Sequence, residues 1–230
     1  MAPTRLLHVL MTLGLAGGCS QNRPLTNRRA RRLHLQPPGT PLPPPAAPAT
    51  NLAPAELAGI VEDHAFEQFF FDARTRDSLL EFMACYERPL LLCCPSLAVA
   101  AEEVGQGDYL LLDRDERFCY LGSRYRPFDL AKPTRIDGYA YDAVFCDPPF
   151  ANLELETLRK ALDGMAPNEQ ARSAPLFIAY NSRREQALLS VFAARQLERK
   201  MQLGYCSVKP KTQQHLCLYG PVSWQPPGSP

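Results

Sequence analysis

The sequence comprises 230 residues, enough for one globular domain with a tail, and its 25 basic and 24 acidic residues give a net charge of +1. No aspartate or glutamate precedes Glu56, whereas six arginines do, so the remainder carries 19 basic and 24 acidic residues. Such an acidic domain is a poor general binder of nucleic acid, because tight duplex binding needs several Lys and Arg side chains to neutralise phosphates. A local basic patch on the domain could still exist.

The N-terminal segment differs from the rest in composition. Eight of the 23 prolines lie between residues 37 and 54, a run that favours extended conformations and supplies no core. We expect a disordered Pro/Arg-rich tail over residues 1–55, a folded domain over 56–222 and a disordered end over 223–230. The apolar stretch 6–16 is too short to cross a bilayer. It suits a secretory signal, and the arginines suit an organellar transit peptide, while a wrongly chosen start codon is a third interpretation.

The cysteines and histidines indicate a reducing compartment and no metal. Cys93, Cys94 and Cys146 sit in apolar runs, where cysteine behaves as a small hydrophobic residue. No C-x-x-C pair occurs and the four histidines are scattered, whereas a structural zinc site needs closely spaced ligands. We expect a cytoplasmic protein, or an organellar one if the N-terminus is a transit peptide.

Helical and apolar segments alternate from residue 57 onward. Asp72 or Thr75 can cap a first helix. The continuous apolar run 89–94 predicts a central parallel strand. Ser96 is then expected to cap a helix over 97–104.

The remaining elements continue this alternation. Strands are predicted at 109–112, 124–128, 141–146, 176–180, 204–208 and 216–219, with helices at 153–162 and 185–201. This order predicts an α/β fold, a mostly parallel seven-stranded sheet with helices on both faces, in which the last hairpin can place an antiparallel strand at the edge.

Polar side chains follow several of these strands where they end. They are Cys94-Pro95-Ser96, Asp113, Asp129 and Asp147. Ligands of such sheets bind outside the carboxyl ends of the strands, so this succession predicts a binding site at that edge.

The segment Asp147-Pro148-Pro149-Phe150 directly follows a predicted strand. Two consecutive prolines make a rigid turn whose carbonyls are free to accept hydrogen bonds. Asp147 can accept one N–H of an amino group and the Pro148 carbonyl a second, which would aim the nitrogen lone pair, while Phe150 packs against the substrate. The plainer alternative is a strand-to-helix turn in which Asp147 only caps the helix.

Asp-Pro-Pro-Phe is also the motif of class I amino-methyltransferases, which the chain resembles. More narrowly, residues 64–220 resemble the eukaryotic family first described as probable N6-adenine methyltransferases, which includes the lysine methyltransferase of translation elongation factor 1-alpha. The resembling segments are Gln68 to Phe71, Cys94 to Ser96, Asp113 to Phe118 and Tyr141 to Phe150.

The resemblance implies a Rossmann-like fold, S-adenosyl-L-methionine as cofactor, and roles for named residues. Phe69 and Phe70 would lie beside the methionine part, Asp113 would accept both ribose hydroxyls, and Asp129 would meet the adenine amino group. Cys94, Pro95 and Ser96 occupy the first strand-to-helix turn, where most class I enzymes have G-x-G. Catalysis is implied for Asp147, Pro148, Pro149 and Phe150.

Three functions are compatible with this resemblance. The first is protein-lysine methylation, with an elongation factor as the suspected partner and aromatic residues such as Phe150 and Tyr180 around the lysine stem. The second is N6-methylation of adenine in RNA or DNA, which the acidic domain makes less favourable. The third is a methyltransferase-like scaffold without activity. We expect a monomer that does not bind membranes.

Overall fold

The computed structural model describes residues 55–149 and 153–225. Strands and helices alternate in it along the chain, as the sequence predicts. The predicted tail up to residue 54, and residues 226–230 of the predicted disordered end, lie outside this part of the chain. The first half contains β1 (Glu56–Leu57), β2 (Ile60–Val61), α1 (Ala73–Met83), β3 (Pro89–Leu92), α2 (Pro95–Val104), β4 (Leu110–Asp113), a 3-10 helix (Glu116–Arg124) and β5 (Tyr125–Pro127).

The second half completes the sheet and its helical layers. Its elements are β6 (Ala143–Cys146), α3 (Leu155–Met165), α4 (Glu169–Ser173), β7 (Leu176–Asn181), α5 (Glu185–Val191), β8 (Leu197–Gln202), α6 (Pro210–Gln213) and β9 (Leu216–Pro221).

Seven strands form one sheet in the order β5-β4-β3-β6-β7-β9-β8. The first five are parallel, and β9 pairs antiparallel with both β7 and β8. The prediction of a mostly parallel seven-stranded sheet is confirmed. The antiparallel strand β9 lies between two others and not at the edge.

The central strands are apolar because both faces of the sheet are covered. Leu90 and Leu92 of β3 pack in one cluster with Leu158 of α3. Leu91 points to the opposite face and packs with Leu79 of α1 and Leu97 of α2. The alternation of side chains along one strand therefore fills two cores.

The two N-terminal helices start in different ways. The Asp72 side chain accepts a hydrogen bond from the Thr75 amide at 2.8 Å, so the predicted cap of α1 is confirmed. The predicted cap of α2 by Ser96 is wrong. That helix begins at Pro95, two residues earlier than predicted, and the Ser96 hydroxyl accepts from the Phe71 amide at 3.1 Å instead.

The predicted helix over 185–201 is also wrong. It ends at Val191, Gln196 adopts a left-handed conformation with φ of 49°, and residues Leu197–Gln202 form β8. Leu, Glu, Arg, Lys and Met favour helix intrinsically, but pairing with β9 outweighs that preference. The predicted strand 204–208 is an irregular segment with a single bridge, between Phe71 and Tyr205.

The C-terminal boundary lies beyond the expected residue 222. Trp224 packs against Phe82 and Phe177, with ring centroids 4.4 and 5.1 Å apart. Within the described residues, no helix combines the length and apolarity needed to cross a membrane.

Candidate active site

A cavity of about 580 Å³ opens at the carboxyl ends of the parallel strands. The chain runs from β3 outward to β4 and β5, then returns to β6 on the other side of β3, so the strand order reverses between β3 and β6. Such a reversal is where α/β sheets bind ligands, and the volume lies within the range of roughly 300–1,000 Å³ that is typical of small-molecule sites.

Asp113 ends β4 and lines this cavity with a side chain that is almost fully buried. Its Oδ1 accepts a hydrogen bond from the Asp115 amide at 2.9 Å. Burial raises the pKa of Asp113 to about 6. A buried carboxylate with acceptor capacity left toward a cavity is suited to bind a pair of hydroxyl groups.

The loop after Asp113 is held by a network around Arg117. The Arg117 guanidinium donates to both oxygens of Asp115 at 2.8 and 2.7 Å, to the Gln68 side chain at 2.9 Å and to the Val61 carbonyl at 3.0 Å. Gln68 in turn donates to Asp115 at 2.8 Å. The network ties the N-terminal segment to the loop and so forms one wall of the cavity.

The first strand-to-helix turn contacts the cavity through Cys93, which was not among the predicted site residues. Cys93 lines the cavity in a left-handed conformation with φ of 53°, which normally favours glycine. Pro95 also lines it. Cys94 and Ser96 do not, because both are buried below the turn, and their predicted contact with a cofactor is not supported by this geometry.

Phe69 and Phe70, both predicted to lie beside the cofactor, occupy different environments. Phe69 lines the cavity and packs on His64, with ring centroids 4.8 Å apart. Phe70 is 1% exposed and belongs to the core below the cavity, so it is a packing residue and not part of the lining.

Asp129 lines the cavity beside the apolar side chains of Phe128 and Leu130. Its Oδ1 accepts from the Ala131 amide at 2.9 Å, as in a capped turn. The position combines a polar acceptor with an apolar wall, which suits a flat heterocycle with an amino group.

Asp147 follows β6 and is fixed from two sides. Its amide donates to the Leu92 carbonyl at 3.1 Å, and its Oδ1 accepts from the Tyr205 hydroxyl at 2.7 Å. Burial raises the pKa of Asp147 to about 8, and the charge of Asp113 adds to that effect. Within the described residues, the Asp147 side chain accepts no hydrogen bond from a backbone amide at the start of α3, whose N-cap is Glu154. The interpretation of Asp147 as a mere helix cap therefore lacks its defining hydrogen bond.

Pro148 and Pro149 line the cavity next to Asp147, whereas Phe150 lies outside the described residues. Tyr180, proposed beside the lysine stem, is buried in β7 and does not line the cavity. Tyr205 does line it, and the sequence contains no signal for this, because its partner Asp147 is 58 residues away.

The cavity is strongly acidic. Seven acidic side chains line it against two basic ones, Arg114 and Arg117, and Arg117 is paired with Asp115. In the described part of the chain, no group of His, Cys, Asp and Glu residues could hold a metal ion. The acidic residues are Asp63, Glu67, Asp113, Asp115, Glu116, Asp129 and Asp147.

Comparison of the sequence with known proteins finds a matching family. Residues 62–219 match the family model described as probable N6-adenine methyltransferase, which is more than half of the chain. No curated protein is similar enough to count as a match.

Solved structures of methylases match part of this chain at low identity. The 16S rRNA methylase RmtB is 14% identical with a TM-score of 0.43, over 64% of this chain and 61% of that one. A ribosomal protein L11 methylase from Lactobacillus delbrueckii subsp. bulgaricus is 16% identical with a TM-score of 0.44, over 66% and 79%. The N-methyltransferase NodS from Bradyrhizobium japonicum WM9 is 14% identical with a TM-score of 0.42, over 64% and 92%.

Proposed function

The chain belongs to the family described as probable N6-adenine methyltransferase, and on that premise we propose that it methylates a lysine side chain of a protein, with a translation elongation factor as the expected substrate. Family membership identifies it as an N-methyltransferase that uses S-adenosylmethionine. The choice of lysine is carried by one observation, the acidic lining of the cavity.

The residues around the cavity fit S-adenosylmethionine. Asp113 offers a buried acceptor for the ribose hydroxyls, and Phe128 with Leu130 offers an apolar wall for the adenine, beside the acceptor Asp129. The cofactor, when bound, supplies a methyl group whose bond to sulfur breaks as its bond to the acceptor nitrogen forms, with the electron pair going to sulfur. Carboxylates around the cavity favour a ligand that carries positive charge.

The charge of the lining favours a cationic substrate over a polyanion. A lysine side chain arrives as an ammonium and is attracted by the excess of carboxyl groups over basic groups in the lining, whereas a nucleic-acid backbone brings phosphates that this excess repels. Arg117 cannot offset this repulsion, because its guanidinium is already engaged by Asp115.

Asp147 would then hold and deprotonate the amine. A carboxylate whose pKa is raised to about 8 binds a proton more strongly than an ordinary aspartate, and an acceptor of that strength suits general-base work near neutral pH. One N–H of the substrate nitrogen is directed to Asp147, and the nitrogen's lone pair is left free to attack the methyl group.

N6-adenine methylation is the second candidate, and the description of the family favours it. The adenine amine is neutral, so no proton must leave before attack, and Asp147 would only accept one after it. The base would have to be flipped into the acidic cavity, and its flanking phosphates would meet the same carboxyl groups.

Radiolabelled S-adenosylmethionine and a cell lysate distinguish these functions. We expect label in a protein band of elongation-factor size that is lost on protease treatment and resists nuclease. Mass spectrometry of that band should locate the added methyl groups on lysine. Label that survives protease and is lost to nuclease would support adenine, and cofactor binding without label in any fraction would support the inactive scaffold.

A further inference from the structure

Tyr205 is held rigidly beside the reacting centre. Its ring is 4% exposed and packs against Phe71, with centroids 4.8 Å apart. Its amide donates to the Gln213 side chain at 3.2 Å, and the next amide, of Cys206, donates to the Phe70 carbonyl at 2.8 Å. Contacts on the ring and on the backbone therefore fix where the Tyr205 hydroxyl lies.

That hydroxyl is the side-chain partner of Asp147 within residues 55–149 and 153–225. It donates to Oδ1 at 2.7 Å, and in the same part of the chain no lysine, arginine or histidine forms an ion pair with Asp147. Burial and the nearby Asp113 raise the pKa of Asp147, and the hydrogen bond from Tyr205 opposes this by stabilising the ionised form. Among the described residues, the Tyr205 hydroxyl is therefore the side-chain donor that stabilises the half-buried carboxylate of Asp147.

We infer that Tyr205 is a positioning residue for methyl transfer: its hydroxyl fixes Oδ1 of Asp147, favours the ionised form of that carboxyl group and leaves Oδ2 to accept from the substrate amine. The inference rests on the proposed function, because it acts through the role assigned to Asp147. It goes beyond that role by assigning a residue outside the Asp-Pro-Pro-Phe motif.

Tyr205→Phe removes the hydroxyl and keeps the ring that packs on Phe71. Methyl transfer to purified elongation factor 1-alpha should fall at least about tenfold in kcat at pH 7 with little change in KM, since a hydrogen bond to a charged group is lost. The acidic limb of the kcat profile should move to higher pH, so that activity recovers as the pH is raised.

Tyr109→Phe is the matched control. It deletes another hydrogen bond from a buried tyrosine to a carboxylate, from Tyr109 to Glu102 at 2.6 Å, and neither residue lines the cavity. Its pH profile should equal that of the wild type. An equal shift in both variants would mean that Tyr205 is only a packing residue.

A measurement made without substrate tests the role of Tyr205 independently of whether lysine is the methylated amine. The titration of the Asp147 carboxyl carbon is followed by ¹³C NMR in cofactor-free protein, and its resonance is assigned by its loss in Asp147→Asn. The midpoint should lie at higher pH in Tyr205→Phe than in the wild type, whichever amine is methylated. Identical midpoints would overturn the role of Tyr205, whereas a shifted midpoint with no transfer to the elongation factor would overturn only the proposed substrate.

Discussion

Single side chains determine the chemistry of this cavity through their burial. Asp113 and Asp147 both lie at the carboxyl ends of parallel strands of the sheet, and burial is the main cause that raises the pKa of each. The hydrogen bonds that reach them differ: Asp113 accepts from a backbone amide and Asp147 from a tyrosine hydroxyl. Two aspartates are thereby suited to different roles: Asp113 to binding hydroxyl groups, and Asp147 to binding and deprotonating an amine.

Cofactor affinity should depend on pH through Asp113. The ionised carboxylate is the stronger acceptor, and its pKa of about 6 means that it is protonated as the pH falls below that value. Binding of S-adenosylmethionine, measured by titration calorimetry, should therefore weaken between pH 7.5 and pH 5.

Asp113→Asn should bind the cofactor at least about tenfold more weakly at pH 7.5 and lose most of this pH dependence. Asp108→Asn is the control, because Asp108 is exposed, pairs with Arg88 and does not line the cavity. Equal affinity of Asp113→Asn and the wild type would place the ribose site elsewhere.

At the scale of elements, the cavity depends on an irregular segment that packs across the start of α1. The Gly204 carbonyl accepts from the Asp72 amide at 2.9 Å, and the Gly204 amide donates to the Thr75 hydroxyl at 2.7 Å. A Cβ at Gly204 would lie 1.9 Å from the Asp72 carboxylate that caps the helix. Glycine is therefore required there for close approach.

Gly204→Ala should lower the free energy of unfolding by about 2 kcal/mol or more, because it displaces the helix cap and strains the contact. Gly164→Ala is the matched control: it lies inside α3, its Cβ would meet Pro133 at an ordinary 3.6 Å, and helix propensity should raise stability by about 0.5–1 kcal/mol. Urea unfolding measures both, and a stable Gly204→Ala variant would contradict the close packing.

The elements divide into those that local sequence determines and those that it does not. The apolar run of β3 and the strand-end residues Asp113 and Asp147 were predictable, because burial on both faces and the parallel order leave a clear pattern. Strand β8 was not, since its residues favour helix and only pairing with β9 makes it a strand. Tyr205 was missed for the same reason, as its contact with Asp147 is tertiary.

At the scale of the whole molecule, the two hydrophobic cores indicate which part of the chain is needed for a stable fold. Within the part of the chain that the structure describes, the buried residues of both cores run from Leu57 onward. Strands β1 and β2 form a two-stranded antiparallel ribbon. Buried Glu62 links this ribbon to the domain by accepting from the amides of Ala55 and Phe70 at 2.9 and 2.6 Å and from the Ser207 hydroxyl. The described fold is therefore expected to be stable without the residues that precede it.

Removal of residues 1–54 should shift the melting temperature by less than about 2 °C, because the Pro- and Arg-rich sequence of this segment predicts no contribution to a core. Removal of residues 1–62 is the contrasting variant: it deletes the ribbon and Glu62, leaves the Phe70 amide without its acceptor and should lower the melting temperature clearly. A large loss in the shorter deletion would show that the domain begins earlier.

The central claim is that the acidic cavity places an acceptor amine at Asp147, and substitution of this residue tests it most directly. Asp147→Asn keeps the size of the side chain and an oxygen for Tyr205 but removes the charge. Methyl transfer from radiolabelled S-adenosylmethionine should fall by about 10²-fold or more, while cofactor affinity measured by calorimetry should stay within a few-fold of the wild type. Unimpaired methyl transfer by Asp147→Asn would contradict the account.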